Sequence, residues 1–181
     1  MAAPVGNILV TGLPGSGKTT LLERLAERLS DLSPVGFLTR EIRQGGARRG
    51  FELRTLDRRR SVLAHVDFKG RPRVGRYGVD IAALEQVLPE LDPARAPHRL
   101  VILDEIGKME CLSDLFVATV RRLFDAPACL LASIALKGGG AIREFRERPD
   151  ALVHHLGPGN RDHLAAEIEA DVRSALGPPK T

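Results

Sequence analysis

Gly12-Leu13-Pro14-Gly15-Ser16-Gly17-Lys18-Thr19 is the stretch on which the fold turns. It fits the pattern GxxxxGK[ST], and its surroundings are the ones that pattern requires. Before it, Asn7–Thr11 is a short apolar run that reads as a buried strand. After it, Leu21, Leu22, Leu25 and Leu29 recur at helical spacing, with Glu23, Arg24, Glu27 and Arg28 on the opposite face. Glycines between a strand and a helix let backbone N–H groups turn inward as a nest, and the helix N-terminus adds partial positive charge below it. Such a loop cradles phosphates. Lys18 is placed to reach the β- and γ-phosphates of a nucleoside triphosphate, and Thr19 to offer its hydroxyl to Mg²⁺. The bland alternative is a glycine-rich turn with no ligand.

A second element completes the pattern. Leu100-Val-Ile-Leu103 is a continuous apolar run closed by Asp104-Glu105. A strand buried on both faces reads this way, and such strands belong to parallel sheets. An acid at its end, paired with the phosphate loop, is the Walker-B arrangement, in which Asp104 holds Mg²⁺. Successive side chains on a strand point to opposite sides. Asp104 can therefore serve the metal while Glu105 faces the γ-phosphate and deprotonates an attacking water; the alternative for Glu105 is a structural role.

Working outward, Val35–Thr39 reads as a second strand. Arg40–Arg60 carries eight arginines, a Gly45–Gly46 turn and alternating segments. Together with Ser61–Val66 it predicts a small antiparallel β insertion over about 40–68. Gly70–Gly78 reads as a loop, with Tyr77 and Asp80 either shaping a pocket or capping the helix that follows. That helix is expected to begin near Val79 and stop near Pro89. Further helices are expected over Leu112–Phe124, Ile142–Arg148 and Arg161–Leu176. Strands are expected at Ala128–Ala135 and Leu152–His155, and the tail 177–181 is expected to fray. Strands alternating with helices give an α/β three-layer fold with a mostly parallel sheet, built as one domain over 1–181.

Composition sets limits. With 181 residues there is room for a full core, and no apolar run approaches the ~20 residues of a membrane span. No basic, apolar leader precedes the phosphate loop, so a soluble, cytoplasmic chain is expected. The net charge of +4 favours anionic partners without selecting one. Neither the two cysteines nor the five histidines follow a metal-ligand spacing.

Several segments, taken in order, resemble the thermophilic-type nucleoside-triphosphatase family. They are Gly36-Phe-Leu-Thr-Arg-Glu-Ile-Arg43, Arg49-Gly-Phe51, Val74-Gly-Arg-Tyr-Gly-Val-Asp80, Asp104-Glu-Ile-Gly-Lys-Met-Glu110 and Asn160-Arg-Asp162. The resemblance runs from Ile8 to about Leu164, and Asp-Glu-Ile-Gly-Lys-Met-Glu after a phosphate loop is its most specific part. Cys111 departs from it mildly, in a place where an aliphatic residue is usual. The resemblance implies a P-loop α/β domain that hydrolyses ATP, GTP and other triphosphates with Mg²⁺ and little base selectivity. The nucleotide contacts expected are Gly12, Leu13, Pro14, Gly15, Ser16, Gly17, Lys18, Thr19 and Thr20 in the loop. To these are added Leu103, Asp104, Glu105 and Gly107 at the second element, and Asn160 and Arg161 beside the base. The last segment lacks the NKxD sequence of strict guanine readers, and Asn160 could equally be a helix N-cap.

Hydrolysis also calls for positive charge on the γ-phosphoryl oxygens. Lys108 is the favoured donor because the Ile106–Gly107 turn keeps it beside the metal site. Arg40, Arg43, Lys137, Arg143, Arg146 and Arg148 are further candidates, and Ser133 could sense the γ-phosphate. Lys18, Glu105 and Lys108 thus form the candidate catalytic set, with Thr19 and Asp104 for the metal. Two other readings stay open. A nucleotide or polynucleotide kinase could use the same loop, with Ile142–Arg148 as a lid. A nucleotide-gated nucleic-acid-binding module could use the Arg40–Arg60 strands, although Phe51 is their only stacking aromatic. A monomer without membrane partners is expected.

Overall fold

The computed structural model describes residues 6–177. Among them, nine strands make one sheet: β1 (Asn7–Thr11), β2 (Val35–Gln44), β3 (Ala47–Thr55), β4 (Arg60–His65), β5 (Arg73–Val74), β6 (Tyr77–Val79), β7 (Leu100–Ile106), β8 (Cys129–Ile134) and β9 (Ala151–His155). Their spatial order is β5-β6-β4-β3-β2-β7-β8-β1-β9. Six helices accompany them: α1 (Lys18–Arg28), α2 (Ile81–Glu85), α3 (Leu88–Leu91), α4 (Asp114–Asp125), α5 (Ala141–Arg146) and α6 (Arg161–Leu176).

Alternation along the parallel strands divides the core into two layers. Ile8, Val10, Leu100 and Ile102 face α1 and α6, meeting Leu21, Leu22, Leu25, Leu164 and Ile168. Leu9, Val101 and Leu103 face the other way, onto Phe116 and Val120 of α4 and Phe145 of α5. All these side chains are essentially buried. The expected three layers are therefore present in this half of the molecule.

The expected mostly parallel sheet is not. β9, β1, β8, β7 and β2 are joined in parallel, but β2 then pairs antiparallel with β3, β3 with β4, β4 with β6, and β6 with β5. The sheet is mixed, and β2 is the strand where its character changes. Val35–Phe37 pair with β7, while Phe37–Gln44 pair with β3. β2 does not stop at Thr39 because its alternation continues to a Gly45–Gly46 turn, where φ is 56° and 78°. Positive φ at two consecutive positions is the hairpin geometry that glycine permits. The arginine-rich insertion is thus a continuation of the main sheet, and it reaches Val79, well past 68.

Three local expectations also change. The 70–78 segment contains the β5–β6 hairpin, pairing Val74 with Tyr77. The helix after Asp80 is broken in two: Asp80 caps α2 by accepting from Ala83 N at 3.1 Å. Pro89 sits in the first turn of α3, where its missing N–H costs nothing, so it opens a helix instead of closing one. The frayed tail expected at 177–181 lies, beyond Gly177, outside the described residues.

Candidate active site

The loop from Gly12 to Gly17 joins the end of β1 to the start of α1. Gly17 is the N-cap residue, with φ of 96°, and no side chain caps the helix. Its first turn also holds no acidic residue. The positive end of α1, with its unpaired N–H groups, is thus left free for an anion. A side chain at Gly17 would collide with the guanidinium of Arg161, whose Nη2 donates to Ser16 O at 3.1 Å.

Lys18 and Thr19 start α1 and point across to the end of β7. Lys18 Nζ lies 3.6 Å from Glu105 Oε1 and also donates to Gly12 O at 3.3 Å. Thr19 Oγ1 donates to Asp104 Oδ2 at 2.6 Å. Asp104 is 1% exposed and is gripped from both neighbouring strands. From β2, Thr39 donates to Oδ2 through Oγ1 at 3.1 Å and through its backbone N at 3.3 Å. From β8, Ser133 Oγ donates to Oδ1 at 2.5 Å. A buried charge is sustained by hydrogen bonds of this kind.

Mg²⁺ takes hard oxygen ligands and is held by one or two carboxylates together with substrate phosphates and waters. The Asp104 carboxylate beside the Thr19 hydroxyl is such a donor set, so the residues fit that ion. No group of three or more His, Cys, Asp or Glu side chains with metal-ligand geometry exists among the described residues.

Glu105, next to Asp104, is partly exposed toward the loop. Burial raises its carboxyl above the ordinary glutamate value, and the Asp104 charge adds to the rise, against the pull of Lys18. The rise wins although Lys18 is only 3.6 Å away, because the loss of hydration at this carboxylate outweighs the attraction of one cation. The group thus has more than the usual carboxylate affinity for a proton.

Beyond Gly107, Glu110 is 5% exposed. Burial pushes its carboxyl up to about 8, and the charges of Glu105 and Asp104 work in the same direction, against nearby backbone N–H groups. In the unfolded chain it titrates near ~4.3. The folded value being the higher one, the stability linked to Glu110 is complete below the unfolded value and is lost as pH rises through about 8. The thermal midpoint is therefore expected to fall between pH 5 and pH 8, by an amount worth on the order of a few kcal/mol. Glu110→Gln, which has no proton to lose, should flatten that slope; equal slopes in the two proteins would contradict this.

The remaining expected residues separate into those near the site and those elsewhere. Lys108 is exposed on the turn after β7 and makes no ion pair among the described residues. Thr20 is exposed in the first turn of α1. Leu103 belongs to the core and is 1% exposed, so its side chain has no access to a ligand. Ser133 is fully buried on Asp104 and cannot sense a phosphate directly. Arg40 pairs with Glu23 and Arg43 with Glu41. Arg148 bridges Asp125 and Asp150, and Asp150 also accepts from Asn7 at the start of β1, the far end of that strand from the loop. Arg146 is tied to the carbonyls of Ala135 and Leu136. Arg143 and Lys137 are exposed. Tyr77 belongs to the antiparallel wing, where it accepts from Arg48 and packs edge-on against Phe51.

A cleft of about 520 Å³ opens beside the loop, between Leu13–Ser16 and Leu156–Gly159, with Arg161 and Asp162 at its edge. Asn160 does not cap α6 with its side chain. It closes the preceding turn, accepting from Gly157 N and donating to His155 O, both at 3.0 Å. Asp162 is paired with Arg24.

Known proteins resemble this chain in sequence and in fold. A family model described as NTPase matches residues 7–169. The chain is 40% identical over 162 residues to the nucleoside-triphosphatase THEP1 of Thermotoga petrophila, covering 89% of each. It is 38% identical over 185 residues to the human cancer-related nucleoside-triphosphatase, covering 93% of this chain and 97% of the relative. Among solved structures, that of THEP1 from Aquifex aeolicus aligns with a TM-score of 0.80 at 33% identity, over 90% of this chain and 96% of the other. The solution structure of the human protein aligns with a TM-score of 0.79 at 38% identity, over 93% and 98%. The chain belongs to this nucleoside-triphosphatase family.

Proposed function

We propose that the protein is a Mg²⁺-dependent nucleoside triphosphatase that hydrolyses ATP, GTP and other triphosphates to the diphosphate and inorganic phosphate. The observation that carries this reading is the meeting of two pairs at the uncapped end of α1: Thr19 with Asp104 at 2.6 Å, and Lys18 with Glu105 at 3.6 Å. Lys18 and the N–H groups of the loop receive the β- and γ-phosphates. Asp104 and Thr19 would hold Mg²⁺, which when bound neutralises charge on the β- and γ-phosphate oxygens. Thr39 and Ser133 keep the Asp104 carboxylate in place for that task. Glu105 takes a proton from water as the water oxygen bonds to the γ-phosphorus and the bond to the β-phosphate bridging oxygen breaks. Lys108, exposed two residues past the end of β7, is the donor of further positive charge to the γ-phosphoryl oxygens.

The kinase reading has no comparable support, since Arg146 of the basic α5 is tied to backbone carbonyls. A nucleic-acid role for the antiparallel wing is weakened by its pairing: Glu41 engages Arg43 and Arg48, Asp67 engages Arg49, and Asp57 with Glu90 engages Arg59. No helix among the described residues is long and apolar enough to cross a membrane.

Low base selectivity follows from the cleft. Its side chains are mainly Leu13, Pro14, Leu156 and Pro158. Of its charged side chains, Arg161 is engaged by Ser16 O and Asp162 by Arg24. ATP and GTP are expected to be hydrolysed with kcat/KM values within about tenfold of each other, or ~1.4 kcal/mol. Steady-state phosphate release from the common triphosphates measures this, and a thousandfold preference for one purine would overturn it.

A further inference from the structure

Glu110 has no part in the chemistry described above, yet its carboxyl is buried close to it. It is 5% exposed in the short turn after β7. The turn is closed by Cys111 N donating to Gly107 O at 3.0 Å and Ser113 N donating to Glu110 O at 3.1 Å. Gly107 lies between the two acids: a Cβ there would stand 2.9 Å from Glu110 Oε2 and 3.2 Å from Glu105 Oε2. The two carboxyl groups therefore flank one bare backbone atom, and any side chain at 107 would displace at least one of them. The backbone N–H groups of Gly107 and of Glu110 itself lie close enough to bear on the Glu110 carboxyl. A polar group buried at this depth is kept where it has partners, because an unpaired one costs free energy.

We propose that Glu110 is a positioning residue for Glu105: its buried carboxyl holds the Gly107 turn so that Glu105 presents its carboxylate to the attacking water. This rests on the reading of Glu105 as the base. Being uncharged at neutral pH, Glu110 can stand beside Glu105 without setting a second negative charge against it. Gly107 is required for space, since a Cβ there would crowd both acids.

The test is a double-mutant cycle read as kcat and KM for phosphate release from ATP with Mg²⁺. The four proteins are the unaltered one, Glu110→Ala, Glu105→Gln and the double variant. Glu110→Ala is expected to lower kcat about tenfold or more with KM changed less than about threefold, because the triphosphate is held by the phosphate loop. Glu110→Gln, uncharged and of the same shape, should recover most of that loss. In the Glu105→Gln background Glu110→Ala should cost less than about twofold, since residues acting as a unit are non-additive. An equal fractional loss in both backgrounds, or no loss in Glu110→Ala, overturns the proposal while leaving Glu105 as the base. Unaltered kcat in Glu105→Gln alone overturns the base reading and the proposal with it. If circular dichroism shows Glu110→Ala to be unfolded, Glu110→Asp, a carboxyl one methylene shorter, replaces it in the cycle, with the same supporting and overturning results.

Discussion

Glu105→Gln is expected to bind triphosphate as tightly as the unaltered protein and to release phosphate about 10²–10⁴-fold more slowly, the contribution of a positioned general base. Glutamine keeps the shape of the side chain and most of its hydrogen bonding, but it cannot take the proton. The phosphate-holding groups stay in place: Lys18 loses its ion pair with Glu105 but keeps its bond to Gly12 O, and Thr19 and Asp104 hold each other without Glu105. Losing an interaction used only in the transition state lowers kcat with little change in affinity. Asp104→Asn should behave differently. Its carboxylate is the point on which Thr19, Thr39 and Ser133 converge, so that variant should lose both Mg²⁺-dependent binding and turnover. Calorimetric affinity for the Mg²⁺-triphosphate, set beside phosphate release for each variant, separates the two. A Glu105→Gln protein that binds weakly but turns over normally once saturated contradicts the assignment.

Lys18→Ala should be the more complete lesion. Lys18 is the one lysine at the uncapped start of α1, where it lies against Gly12 O and Glu105. Its ammonium supplies charge-assisted hydrogen bonds to the β- and γ-phosphates, bonds roughly twice as strong as neutral ones. Removing a preorganised donor aimed at developing charge costs about 10²–10³ in rate, and binding should weaken as well. The fold should survive, since α1 is anchored in the core by Leu21, Leu22 and Leu25. Equal turnover in Lys18→Ala and the unaltered protein, with thermal midpoints matched, contradicts the phosphate-loop assignment. Thr19→Ala, by contrast, should shift the Mg²⁺ dependence of turnover and leave the thermal midpoint near that of the unaltered protein.

Much of this was legible in the chain because the signals are local. An apolar run, a glycine-rich turn and Lys-Thr at the opening of an amphipathic helix occupy consecutive residues, and β1, the loop and α1 appear where that pattern puts them. Leu100–Leu103 likewise announces a strand buried on both faces. What was not legible depends on strands that meet only in the folded sheet. Thr39 and Ser133 hold Asp104 from β2 and β8, which flank β7, and neither residue carries a local mark of that role. Ser133 reads as a possible phosphate sensor until Asp104 is seen to occupy its hydroxyl. The change from parallel to antiparallel pairing happens within β2, between Phe37 and its continuation, where alternation alone cannot specify which neighbour a strand takes. Pro89 misleads for a related reason: proline is tolerated in the first turn of a helix and excluded from its interior, and sequence alone does not say which turn it occupies. Glu110 is read only as the end of the Asp104–Glu110 segment, and its burial shows only in the folded turn.

The most direct measurement follows the oxygen atom. Hydrolysis in ¹⁸O-enriched water with Mg²⁺ and ATP or GTP should place one solvent oxygen in each inorganic phosphate released and none in the nucleoside diphosphate, because water attacks the γ-phosphorus. Mass spectrometry of both products reads this at a single turnover. Label in the diphosphate, or phosphate release that appears only when a hydroxylated acceptor is added, would contradict hydrolysis by a water activated at Glu105.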